Sequence, residues 1–154
     1  MTELDIRVKE ALTKINFIEQ YQRLSQTYNS IKTPLKERLH YIDGEIVLDS
    51  LEKLGYQAKF EKRENYFWIK EVPMGTYTFS CHIGLDNGMV EVVWIVKENG
   101  TVILGLPIGE YARLMIDPGY KIRKPIFGTY EDLDEILESI FLLFQEFQKA
   151  MVDL

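Results

Sequence analysis

The chain has 154 residues, 46% of them hydrophobic and 27% charged, enough for one domain that buries roughly 70% of its unfolded surface without a disulfide staple. One cysteine and two histidines exclude an internal disulfide and a Cys/His zinc cluster. The net charge of −6 argues against a nucleic-acid binder, which needs a basic surface to neutralise phosphates.

The chain opens MTELDIRVKE, charged from its third residue and so unlike a secretory leader. No window approaches the roughly 18 consecutive apolar residues of a membrane span. The expectation is a cytoplasmic protein with no membrane partner. From Thr2 to about Tyr28, Leu4, Val8, Leu12, Ile15, Ile18, Tyr21, Leu24 and Tyr28 recur at helical spacing among charged residues, which predicts one amphipathic helix. Thr33-Pro34 punctuates it. In DGEIVLDSLEKLGYQ, Leu48, Leu51 and Leu54 form a second stripe, and Gly55 stands where a left-handed C-terminal cap is wanted. The first third is therefore helical.

From Gln57 the period changes to two. QAKFEK, YFWIKEV, TYTFSCHIGL, MVEVVWIV and TVILG are rich in β-branched and aromatic residues and are separated by REN, PMG, DNG and ENG. They predict a five-stranded antiparallel meander. LPIGEYARLMI reads as a short helix, DPGYKIRKPIFG as a loop, and the chain closes with a long helix from about Tyr130. Thr129 with Asp132 resembles a capping box there. The fold class is α+β, a single domain over residues 1–154, with the long helix packed on the sheet.

Asn87-Gly88 is the strongest hairpin signal, because both central positions of a type I′ turn need positive φ. That turn pairs Ile83 with Val92, Cys81 with Trp94 and Phe79 with Val96 on one apolar face. On the other it pairs Gly84 with Glu91, His82 with Val93 and Ser80 with Ile95. A slip of one residue would destroy the segregation. Cys81 and His82, the most suggestive dipeptide in the chain, thus point to opposite faces and cannot form a thiolate-imidazole pair. Cys81 reads as a small core hydrophobe. His82 lies diagonal to Glu91, where a carboxylate-imidazole pair can form. His40 has no partner identifiable in the sequence.

KFEKRENYFWIK mixes Lys59, Lys62, Arg63 and Lys70 with Tyr66, Phe67 and Trp68. Its glutamates and the inward positions of Phe67 and Ile69 make a plain hairpin the better reading than a nucleic-acid platform. There is no glycine-rich phosphate loop, no G-x-S-x-G and no H-E-x-x-H. No catalytic residues, metal ligands or cofactor are assigned, and an enzyme is not expected.

The charge has a location. Residues 1–64 carry eleven acids and eleven bases, residues 65–128 six of each, and residues 129–154 seven acids and one base. At about 100° per residue, Leu133, Ile136, Leu137, Ile140, Phe144, Phe147 and Met151 cover one face of the last helix, flanked by Phe141 and Leu143. Leu142 lies on the opposite side with Glu135, Glu138, Gln145, Glu146 and Lys149 around it. Single exposed leucines are ordinary, but one ringed by acids fits a partner-binding patch. A second candidate surface is the sheet face around Trp68, His82 and Glu91. Val93, Ile95, Val102 and Leu104 make the outer face of the sheet's C-terminal half apolar, so helices cover it or it is a binding surface.

The order of a helical N-terminal third, a meander with Trp94, GTVILGLPIGEYARLM, a loop with Pro125 and FGTYEDLDEILESIFLLFQEF resembles small bacterial immunity proteins that neutralise polymorphic toxins. The resemblance spans roughly residues 65–150 and contains no diagnostic motif. It implies a non-enzymatic protein that binds a cognate toxin, here a basic toxin domain, often over its active site. It transfers no individual residue. Two alternatives stand beside it: a dimeric chaperone for a secreted effector, and a small-ligand protein or enzyme using the His82/Glu91 face. The oligomeric state is left open.

Overall fold

In the computed structural model, which describes residues 3–154, the N-terminal amphipathic stretch forms two helices rather than one, α1 (Ile6–Lys14) and α2 (Phe17–Thr27). The predicted start at Thr2 lies outside the described residues. Between the helices Asn16 takes φ 53° and ψ 44°, a left-handed conformation that asparagine tolerates better than most side chains. The break re-aims the second helix. Phe17, absent from the regular stripe, is fully buried, while Ile15 and Ile18 are half-buried. Asp5 caps α1 by accepting from the Arg7 backbone N–H, and hydrogen bonds from the Arg7 side chain hold its carboxyl below the usual range. After a 3-10 turn at Leu35–Glu37, helix α3 (Gly44–Lys53) follows. It ends, as predicted, at Gly55 with φ 94°.

The sheet is antiparallel throughout but has six strands, not five: β1 (Ala58–Glu61), β2 (Tyr66–Ile69), β3 (Val72–Met74), β4 (Tyr77–Asp86), β5 (Met89–Glu98) and β6 (Thr101–Pro107). The spatial order is β1-β2-β4-β5-β6, with β3 also on β4. YFWIKEV is the strand that divides. Phe67 faces Ile83 and Val72 faces Phe79, so the chain takes one more step than its partner and breaks the pairing at Lys70-Glu71. The β4–β5 register is the predicted one throughout, Cys81 facing Trp94 and His82 facing Val93. Asn87 and Gly88 both have positive φ, as do Asn99 and Gly100 at the next turn.

One predicted facing is corrected. Val96 pairs with Leu104 while Lys97 pairs with Val102, leaving Ile103 as an extra residue in β6. This bulge moves Leu104 to the core side, where it is buried, and leaves Val102 exposed on the outer side. A bulge adds one residue to one strand, so it inverts every facing beyond it.

After β6 come a 3-10 turn (Ile108–Glu110), the short helix α4 (Tyr111–Met115) and the long α5 (Tyr130–Val152). The Thr129 hydroxyl accepts from the Asp132 backbone N–H, and the Asp132 carboxylate accepts from the Gly128 N–H. The reciprocal bond of a capping box thus falls one residue early. Helices α1, α2, α3, α4 and α5 all contribute to a single core cluster with the Phe79/Cys81/Ile83 face of the sheet. At its centre Trp94, fully buried, meets Phe17 of α2, Tyr111 of α4, and Phe144 and Phe147 of α5 at ring-centroid distances of 5.1 to 6.0 Å. Trp68, Val93 and Ile95 take no part in that cluster. The molecule is two-layered, with helices on one face of the sheet.

Candidate functional site

Cys81 is fully buried against the core, and burial pushes its thiol far above the ordinary value. A thiol held protonated and out of solvent is no nucleophile. His82 lies on the outer face, half-buried, its ring stacked on Tyr66 with centroids 4.4 Å apart and its backbone opposite Trp68. Burial holds its imidazole below the ordinary 6.5. The carboxylate-imidazole pair that diagonal placement suggests is not made: the Glu91 carboxylate accepts from Lys124 Nζ at 2.8 Å. Lys59 Nζ sits 5.9 Å from the Trp68 ring centroid, a cation-π contact. Tyr66, Trp68 and His82 therefore share the side of the sheet opposite the core, with Tyr66 and His82 stacked and Trp68 on the neighbouring strand position. Alternation along β2 already placed Tyr66 outward, but its stacking on His82 depends on how β2 pairs with β4. His40 lies elsewhere, its Nε2 3.0 Å from the Leu35 carbonyl oxygen. Among the described residues no three His, Cys, Asp or Glu side chains are placed to hold a metal, and no helix is long and apolar enough to cross a membrane.

The second surface is the outer ridge of α5. Leu142 is 54% exposed and lies one turn from Glu138 on one side and Glu146 on the other, spacings that put the three side chains in one row. Glu135 stands one turn further toward the N-terminus. Phe141 and Leu143, which flank the predicted apolar face, are both buried, so Leu142 is left alone among polar neighbours. Glu135 accepts from the Tyr28 hydroxyl at 2.8 Å. Burial, with that hydrogen bond second, pushes the Tyr28 hydroxyl up to about 12. Glu146 accepts from Gln20 Nε2. None of Glu135, Glu138 and Glu146 is ion-paired among the described residues. Glu135 and Glu138 are presented to solvent, whereas Glu146 shares a shallow groove with Lys14 and Lys149 without an ion pair to either.

The two predicted surfaces are separate, since α5 packs on the core face of the sheet and these aromatic residues are on the other. Sequence reasoning missed a third feature, the basic segment Lys121, Arg123 and Lys124, which it read only as loop. Three bases within four residues were the available signal. No protein-family model matches the chain, and neither a curated protein nor a solved structure matches it.

Proposed function

We propose that the chain is a non-enzymatic protein-binding module that neutralises a basic protein partner, in the manner of an immunity protein covering a toxin domain. The observation that carries this reading is the α5 ridge, a half-exposed leucine in a row of exposed glutamates that make no ion pair among the described residues. Unpaired acids raise the encounter rate with a cationic partner, and a desolvated aliphatic side chain at the centre slows its release. The test is genetic and then kinetic. The product of a neighbouring reading frame should arrest growth when made alone and be harmless when made together with this chain. Changing Glu135, Glu138 and Glu146 together to Lys should slow association strongly at low salt. Leu142→Ala should instead raise the dissociation rate about tenfold, the equivalent of roughly 1.4 kcal/mol. Unchanged kinetics in both variants would move the contact to the sheet face of Tyr66, Trp68 and His82.

One observation favours a second reading, a dimeric effector chaperone. The outer face of the sheet carries Trp68, Val93 and Ile95 outside the core, and a second copy laid against it would bury them. Mass measurement in solution separates the two, a constitutive dimer supporting the chaperone.

A further inference from the structure

The acidic ridge has a counterpart of opposite sign. A groove of about 720 Å3 lies between the end of α2 with the loop that follows it, the tip of the β4–β5 hairpin, and the segment before α5. Its basic lining residues are Arg38, Lys121, Arg123 and Lys124, and no acidic residue lines it. In a chain of net charge −6 that segregation is pronounced. Lys124 is partnered by Glu91, whereas Arg38, Lys121 and Arg123 have no carboxylate partner among the described residues. Apolar walls come from Met89, Ile122 and Ile126, and from Ile31, which is 88% exposed.

The groove is held in shape from both sides. Ser25 Oγ donates to the Arg123 carbonyl at 2.6 Å, the Ile126 N–H to the Tyr28 carbonyl at 2.9 Å, and the Val90 and Phe127 N–H groups bond to Pro125 and Gly88 carbonyls. Arg38 is pinned as well: its Nε donates to the Thr33 carbonyl at 3.2 Å and its Nη1 to the Asn87 carbonyl at 3.3 Å. A guanidinium has five N–H donors, so three remain for a ligand.

We infer that this groove binds an acidic peptide segment of a partner protein, with carboxylates on the cations and an aliphatic side chain among Ile31, Met89 and Ile122. Three features select that occupant. The bases run along a segment, Lys121 to Lys124, that spans up to about 10 Å, so they form a strip rather than a single anion point. No aromatic residue lines the groove, which removes the stacking surface that single-stranded nucleic acid needs. The aliphatic walls, with an adaptable methionine among them, suit leucine or isoleucine. This site is independent of the α5 ridge and takes the opposite charge.

Selection of displayed random peptides on the immobilised intact chain tests it. Selected peptides should be rich in Asp and Glu around Leu, Ile or Val. Their synthetic versions should lose affinity about tenfold or more with Lys121→Glu/Arg123→Glu, and several-fold with Ile31→Ser. All three positions are exposed, so the fold should survive, as a thermal melt would verify. Binding should be unchanged when Glu138 is changed to Lys together with Leu142→Ala, positions on the α5 ridge that bond to nothing shaping the groove, which keeps this outcome apart from that of the immunity reading. Peptides that are not acidic, or that bind the charge-reversed variant equally well, would overturn the inference. So would single-stranded DNA binding with the same loss on charge reversal, or displacement of the peptide by acetate alone.

Discussion

Gly88→Ala should be far more damaging than the same change at Gly75, although both glycines sit in turns with positive φ. Gly75 has φ 66° and a Cβ added there would meet nothing within 4 Å, so the cost is that of left-handed alanine, roughly 1 to 2 kcal/mol. Part of this is offset by the stiffer unfolded chain, by about 0.4 to 1 kcal/mol. Gly88 has φ 74°, and a Cβ there would lie 2.6, 2.8 and 2.9 Å from Cβ, Cδ and Cγ of Arg38. Those atoms are the root and stem of the side chain, so Arg38 must leave its place. It then gives up its hydrogen bonds to Thr33 and Asn87, each worth about 0.5 to 1.5 kcal/mol. The total for Gly88→Ala comes to about 2 to 4 kcal/mol, against about 1 for Gly75→Ala. For a chain of this size each kcal/mol lowers Tm by about 2 to 4 °C. Urea titration of both variants, repeated in an Arg38→Gly background, isolates the contact as a coupling energy. Glycine is the right replacement because alanine would keep the Cβ that lies nearest. In that background the excess cost at Gly88 should vanish while the cost at Gly75 stays unchanged. An equal cost at Gly88 with and without Arg38 would refute the reasoning.

Cys81 should resist a polar alkylating reagent in the native state and react on unfolding, because its thiol is buried in the core; rapid native labelling would contradict the observed β4–β5 facing. Gln148 is buried with a side-chain amide nitrogen that has no partner among the described residues. Gln148→Met, similar in shape, should therefore raise stability by about 1 kcal/mol or more, read as a higher urea midpoint; a fall would mean that the amide is satisfied. His82 is held below 6.5 by burial, so as pH drops the unfolded chain takes up its proton first. Stability contributed by the neutral ring is full above the unfolded value and is lost as pH falls through 6.5 toward the lower folded value. His82→Gln should flatten the fall in stability that sets in as pH drops below about 6.5, and an unchanged slope would show that another group titrates there.

Periodicity in this chain is short-range information, and it determined what depends on short range. The 3.6-residue stripe of α5, the cap at Thr129, the two Asn-Gly turns and the whole β4–β5 register follow from neighbours in sequence, because turn type and alternation lock a hairpin once its tip is known. Alternation alone separated Cys81 from His82, and the register decided that Cys81 is the one facing Trp94 and the core. The exposure of Leu142 followed from the helical angle in the same way. Tertiary packing decided the rest. Left-handed Asn16 breaks the first helix and Phe17 packs against Trp94, a contact with a residue far along the chain that no local stripe encodes. The bulge at Ile103 puts Leu104 on the core side, and a single inserted residue leaves no mark on composition. Glu91 turns to Lys124 rather than to His82 because Pro125 and Ile126 run beside β5, and that approach also gathers Arg38, Lys121 and Arg123 around one groove. Hydrophobic spacing reports which side of an element is buried, whereas which elements meet is set by contacts between residues distant in sequence.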